Sequence, residues 1–262
     1  MRMVSGILTI LMLLPSLVGS ALAAPTPTID AIRQAGKFKV AIDVTYPPME
    51  TTDAKGNPDG FDVDLAKEFA RRLGVQVEFV VMSWDGIIAG LMSKRYDMIC
   101  SAMNITPERL RQLDIVEYMQ VSQVFVSPVD KPVVKEADLA GKTVAVQVDT
   151  TSATYVEKAK KNGLAIAGIK GFKMATDALA ALRAKQADVI VIDEPVGQYF
   201  VKQDPKRVVV SGRAIAPEPI GVALRKDTKD LSAEVTRMIA DMRRDGTMKK
   251  LHIKWFGVEL GS

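Results

Sequence analysis

The alternation of apolar and polar residues divides the chain into short strands and amphipathic helices. Phe38-Lys-Val-Ala-Ile-Asp43 alternates over the length of a strand and ends on a polar residue. After the turn Asn57-Pro-Asp-Gly60, apolar Phe61, Val63, Leu65, Phe69 and Leu73 predict a helix from Phe61 to Leu73. The same order returns later: Lys142-Thr-Val-Ala-Val-Gln147 reads as a strand, and roughly Ser152 to Lys161 as a helix. A second pair of segments repeats as well. A helix from Asp85 leads through a basic turn to Asp97 and the apolar strand Met98-Ile99-Cys100, and a helix from Asp177 leads to Asp188 and Val189–Ile192. The aspartates stand twelve residues apart in the first copy and eleven in the second. Each half reads β-α-β-α-β, which calls for an α/β fold of parallel-rich sheets flanked by helices.

The first residues follow another rule. Arg2, an apolar run from Ile7 to Val18 broken by Thr9, Pro15 and Ser16, and then Ala21-Leu22-Ala23 form a secretory leader, with cleavage expected after Ala23. The run is shorter than the roughly 20 apolar residues of a membrane span. About 240 residues remain, enough for two lobes of ordinary size. The single cysteine, Cys100, excludes an internal disulfide and is too far from the cleavage site for a lipid tether. It reads as a buried, inert thiol. The lone histidine, His252, in an expected C-terminal helix, leaves no basis for a zinc site, and no cofactor or metal is expected. The formal net charge of +4 is spread without a basic stripe, so nucleic acid is not an expected partner.

If the repeat is real, equivalent strand ends face a common crevice, where open parallel sheets bind ligands. After Met98–Ser101 come Ala102, Met103, Asn104 and then Thr106-Pro107, a strong helix start with Arg109 in its first turn. Such an arginine is either a carboxylate receptor or an ordinary surface residue. The equivalent strand ends in Asp193, an acid that needs a partner and would suit an ammonium group. The other two ends supply Asp43 with Tyr46, and Gln147 with Thr150 and Thr151. Tyr46 and Trp84 are either core aromatics or a sandwich for a ligand side chain. A carboxylate site on one lobe and an ammonium site on the other fit an α-amino acid.

With these residues assembled, the chain resembles the polar amino-acid-binding proteins of bacterial ABC importers, solute-binding protein family 3, from about Phe38 to Phe256. The markers are Asp43-Val-Thr-Tyr46-Pro-Pro-Met-Glu50, Gly60-Phe-Asp-Val-Asp-Leu-Ala66, Trp84-Asp85-Gly86, Ile105-Thr-Pro-Glu-Arg109, Asp193-Glu-Pro195, and Arg243-Arg-Asp-Gly-Thr247 running to Trp255-Phe256. The resemblance implies that Arg109 grips the ligand carboxylate with help from Thr150 and Thr151. It implies that Asp193 takes the ammonium with Ala102 and Asn104, and that Asp43, Tyr46 and Trp84 surround the side chain. It also implies two lobes joined by two hinge strands, near Val121–Val126 and Ile215–Val222. Lobe 1 is expected over residues 25–120 and 216–262, and lobe 2 over 121–215. The implied protein is a periplasmic monomer, not an enzyme, with an amino acid as ligand and an inner-membrane ABC permease as partner. Two positions depart from the pattern: Asn104 stands where Ser or Thr is usual, and Asp149 where Gly precedes the threonine pair. The alternative is a periplasmic cyclohexadienyl-type dehydratase on the same fold, with Glu194 or Asp193 as general acid.

Overall fold

The computed structural model describes residues 28–259, so the leader expected over residues 1–23 lies outside the described residues. The first half runs α1 (Thr28–Ala35), β1 (Lys37–Ile42), β2 (Thr51–Thr52), β3 (Pro58–Asp59), α2 (Phe61–Leu73), β4 (Gln76–Val81), α3 (Trp84–Met92), β5 (Met98–Asn104), α4 (Pro107–Gln112) and β6 (Leu113–Pro128). The second runs β7 (Thr143–Gln147), α5 (Thr151–Lys161), β8 (Gly168–Phe172), α6 (Ala175–Arg183), β9 (Val189–Asp193), α7 (Glu194–Gln203), β10 (Val208–Arg225), α8 (Lys229–Arg244) and α9 (Thr247–Phe256).

The internal repeat is visible as topology. The main sheet has the order β4-β1-β5-β10-β6-β9-β7-β8. On each flank the first strand of the repeat lies between the second and the third: β1 pairs in parallel with β4 and β5, and β7 with β8 and β9. The antiparallel pair β6 and β10, 16 and 18 residues long, joins the two flanks into a two-lobed molecule. Register shifts in that pair fall between Val210 and Gly212, Arg213 and Ile215, Ile215 and Glu218, and Ile220 and Gly221. Each such bulge sharpens the local twist of the pair.

β5 and β9 are buried along their whole length, as central strands covered on both faces must be. Phe61, Leu65 and Phe69 of α2 enter the same core, each contributing about 1.5–3 kcal/mol by burial. α2 starts at Gly60, at φ 137°, where a Cβ would stand 2.3 Å from the Met49 carbonyl oxygen. Without that atom, Phe61 and Asp62 donate their N–H groups to Pro48 and Met49 at 3.0 and 2.9 Å. The loop carrying Tyr46 and Glu50 is thereby pinned to the start of α2. His252 packs within α9 against Phe61 and Phe256. Among the described residues, no helix is long and apolar enough to cross a membrane.

Candidate ligand-binding site

The strand ends meet where the lobes face each other. Asp43 follows β1, Ala102 and Asn104 close β5, Gln147 closes β7 and Asp193 closes β9. Together with Tyr46, Trp84, Thr150 and Thr151 they line an enclosed cavity of about 20 Å³, to which Glu50, Ser101 and Ser152 also contribute. A larger recess of about 970 Å³ lies between α7 and α9, but its polar groups, Lys202, Arg213, Lys254 and Glu194, belong to none of these strand ends.

Hydrogen bonds cross from lobe to lobe at the cavity. Tyr46 Oη donates to Asp193 Oδ2 at 2.9 Å, Gln147 Nε2 to Asp43 Oδ2 at 2.8 Å, and Trp84 Nε1 to the Asp149 carbonyl at 3.0 Å. Thr151 Oγ1 donates to Asn104 Oδ1 at 3.2 Å. Both aromatics are buried, and their polar atoms reach across the cleft. The cation over Trp84 is the protein's own Arg109, 5.2 Å from the ring centroid.

Arg109 is 8% exposed and stands beside the cavity, not on its wall. Its Nη1 donates to the Asn104 carbonyl at 2.9 Å and Nη2 to that of Asp149 at 3.2 Å. It also lines an outer recess of about 720 Å³ with Asp149, Thr150, Thr151 and Glu218. α4 is capped by Thr106 as expected, whose Oγ1 accepts the Arg109 N–H at 3.2 Å. At six residues it is too short to add much dipole, and it is α5, capped by Thr150, whose first residues face the cavity.

Met103, also expected at the site, lies behind the cavity. Its side chain is fully buried in an apolar cluster with Ile87, Leu91 and Ile99, and it is not on the cavity wall. Successive residues of a strand face opposite sides, so Ala102 and Asn104 at the cavity put Met103 behind it. Asp149 sits at φ 58°, the left-handed region that glycine fills without strain and aspartate tolerates. Its side chain is exposed, and it is its carbonyl that serves Trp84 and Arg109.

Burial governs the electrostatics. It raises the Asp43 carboxyl, against hydrogen bonds from Thr45 and Gln147 that lower it. It raises Asp193 to about 7, against the Tyr46 hydrogen bond. Behind the cavity lies a pair that the sequence reading did not single out. Glu50 and Asp62 are 1% and 0% exposed and form no ion pair among the described residues. Ser101 Oγ donates to Glu50 Oε1 at 2.7 Å, and the Ala102 N–H to Asp62 Oδ2 at 2.7 Å. Burial, then the Asp62 charge, pushes Glu50 well above the usual carboxylate range, and burial also raises Asp62, so both carboxyls favour the protonated form. Burial also pushes the Cys100 thiol well up, leaving it inert as expected.

A carboxyl whose pKa rises on folding stabilises fully below its unfolded value and loses that contribution as pH rises through the folded one. Glu50→Gln keeps an acceptor for Ser101 and a donor for Asp62 without a titrating proton. It is expected to reduce the fall in thermal midpoint as pH rises above the usual carboxylate range. An unaltered fall would show that Glu50 does not titrate with folding.

With the geometry established, comparison with known proteins gives a consistent match. The family model described as bacterial extracellular solute-binding proteins, family 3, matches residues 38–258. The L-cystine-binding protein TcyJ of Escherichia coli K12 is 31% identical over 235 residues, covering 88% of this chain and 87% of the relative. Among solved structures, an ancestral arginine-binding protein bound to arginine superposes with TM-score 0.81 at 36% identity, covering 84% of this chain and 98% of that one. The ancestral amino acid-binding protein AncCDT-1, a precursor of cyclohexadienyl dehydratase, superposes with TM-score 0.81 at 38% identity, covering 87% and 99%.

Proposed function

The chain belongs to family 3 of the bacterial extracellular solute-binding proteins, and from that premise we propose that it captures a polar amino acid between its lobes and hands it to an ABC transporter. One observation carries the reading. A cation, Arg109, stands beside the interlobe cavity, held against the Asn104 and Asp149 carbonyls, and a buried acid, Asp193, lines the cavity from the other flank. A zwitterion bridging the two favours the closed arrangement selectively, which is what drives a hinge. In this reading Arg109 with the first N–H groups of α5 takes the carboxylate, and Asp193 with the oxygens of Ala102 and Asn104 takes the ammonium. Asp43, Tyr46, Trp84 and Gln147 surround the side chain. Asp43 at the wall favours a cationic or polar side chain over an acidic one.

The cavity of about 20 Å³ holds little more than a water-sized group, so an amino acid enters only if the lobes part and exchange their cross-cleft hydrogen bonds for bonds to the ligand. Lobe 1 then comprises about residues 25–120 and 216–262 and lobe 2 about residues 121–215, turning on β6 and β10. In this reading the protein works in the periplasm and meets a permease in the inner membrane.

A dehydratase acting on a cyclic acid is the second reading, and one observation favours it: a carboxyl raised to about 7 at Asp193 is poised to donate a proton. Glu194, the other acid considered, lines the recess between α7 and α9 instead.

Thermal unfolding against the common amino acids, after refolding from denaturant to remove carried-over ligand, separates the two. A ligand at 100 times its Kd adds about 2.7 kcal/mol, an increase of about 2–4 °C or more in midpoint. A shift with a polar or cationic amino acid is the expected result. No shift with any of them, together with loss of the hydroxyl from prephenate or arogenate, would replace binding with catalysis.

A further inference from the structure

Three acids line the ligand cavity, Asp43, Glu50 and Asp193, and they are not equally satisfied. Asp43 Oδ1 accepts the Thr45 N–H at 3.2 Å and Thr45 Oγ1 at 2.9 Å, and its Oδ2 accepts Gln147 Nε2. Asp193 Oδ2 accepts the Tyr46 hydroxyl. Glu50, which the amino-acid reading above leaves without a role, is 1% exposed and receives Ser101 Oγ at Oε1. Its Oε2 is buried with no partner within hydrogen-bond distance, and so is Oδ1 of Asp62. The same Ser101 Oγ takes the Asp43 N–H at 3.1 Å, so Glu50 stands one side chain away from Asp43.

The titratable groups around Glu50 come from several elements. Asp43 follows β1, Tyr46 belongs to the same loop, Asp62 is on α2, Cys100 on β5, Tyr118 on β6 and Asp193 on β9. Asp85 of α3, paired with Lys173, adds to the negative field at Asp43. His252 of α9 packs on Phe61, and Arg109 stands beside the cavity, bonded to the carbonyls of Asn104 and Asp149. Neither Glu50 nor Asp62 forms an ion pair among the described residues. Carboxyls buried side by side without a cation are costly to ionise, and burial holds both toward the protonated form. A ligand side chain that brings a positive charge to this wall favours the ionised form of the acid it approaches.

We propose that Glu50 is a specificity-determining residue that ionises under a cationic ligand side chain and stays protonated under a neutral one, so that pH sets which kind of amino acid the cavity prefers. This rests on the amino-acid reading above and adds a residue to it. When a cationic side chain enters, the carboxyl proton leaves Glu50 for solvent, and the carboxylate left behind faces the positive end of the ligand. With a neutral side chain the proton stays. A cationic ligand therefore gains affinity as pH rises above the usual carboxylate range, because less work is needed to remove the proton, and a neutral one does not. The α-ammonium and α-carboxylate are common to both kinds of ligand, so the titration of Asp193 cancels from the ratio of their affinities.

The probes are L-arginine and L-citrulline, in which a neutral group of nearly the same shape replaces the guanidinium. Calorimetric titration of each across pH gives the ratio of the citrulline Kd to the arginine Kd. In the wild type this ratio is expected to rise by about tenfold or more as pH rises above the usual carboxylate range. In Glu50→Gln it should stay within about twofold of its low-pH value. Asp43→Asn should lower the ratio at every pH and keep its rise. Within the rise, heats measured in buffers of different ionisation enthalpy should report more proton release with arginine than with citrulline. That measurement needs only the wild type and Asp43→Asn, and covers the case in which Glu50→Gln fails to fold. A flat ratio, equal proton release with the two probes, a rise that survives in Glu50→Gln or a rise lost in Asp43→Asn overturns the role of Glu50 and leaves amino-acid binding in place. So does a wild type that binds other amino acids but neither probe. Wild-type protein that binds no amino acid overturns the amino-acid reading and this inference with it.

Discussion

Replacing Arg109 by alanine is expected to weaken binding of the amino-acid ligand by about 100- to 1,000-fold, the effect of stripping one partner from a buried charge pair worth about 3–5 kcal/mol. The guanidinium is already held in place: Trp84 lies under it, and the carbonyls of Asn104 and Asp149 take two of its protons. Those bonds leave the rest of the fork for a carboxylate and fix its direction before the ligand arrives. Truncation takes the side-chain donor from the Asn104 carbonyl, while that of Asp149 keeps Trp84 Nε1, which should lower stability by only about 1–3 kcal/mol, so the variant should still fold. Arg109→Lys should fall between wild type and alanine, because a compact ammonium keeps the charge but lacks the planar fork that grips a carboxylate with two parallel bonds. Titration calorimetry, or quenching of Trp84, gives the affinities. Near-normal binding by Arg109→Ala would place the carboxylate elsewhere.

The second large effect is on pH. Asp193 is 4% exposed, and burial raises its carboxyl to about 7 against the Tyr46 hydrogen bond. An ammonium partner needs the ionised form, so binding must release the proton. The association constant is therefore expected to fall about tenfold for each pH unit below about 7, and to level off above it. Below neutrality the measured heats should change with the ionisation enthalpy of the buffer. Without ligand, the stability dependence has the opposite sign. The raised pKa stabilises the fold below the unfolded value of 3.8, and that contribution is lost as pH rises through about 7. Asp193→Asn should bind more weakly and lose the pH slope in affinity. A flat profile in the wild type would show that Asp193 is ionised throughout and that burial does not control it.

The two predictions use residues that the sequence already singles out, and the reason is physical. Hydrophobic periodicity locates strands, and in a parallel sheet the polar residue that ends a strand lies at the binding crevice. Asp43, Gln147 and Asp193 are all found this way. Periodicity also shows the repeat, and with it the order of strands on both flanks of the sheet. Strand alternation, applied one step further, would have turned Met103 away from the cavity. Other features depend on distance in space and have no local signal. Glu50 and Asp62 are twelve residues apart, on a loop and a helix, and only the close approach at Gly60 brings them together. Gln123 sits in the run Val121-Ser-Gln-Val-Phe-Val126, where a polar residue in an otherwise apolar strand gives no hint that it is held between Ser152 and Thr151. The role of Asp149 belongs to its carbonyl, which no side-chain pattern can reveal.

The position of β10 has a consequence for how the chain is made. It lies between β5 and β6, so the first-lobe strands β1, β4 and β5 keep an open edge until residue 225 has been synthesised. α8 and α9 follow later still, and they pack back on α1 and α2, with Phe256 against Phe61. Contacts of such long sequence separation form slowly. A nascent chain therefore cannot complete the sheet around β1, β4 and β5 until these late elements have been made. A topology that delays folding until the last helices arrive keeps the polypeptide threadable through a membrane pore.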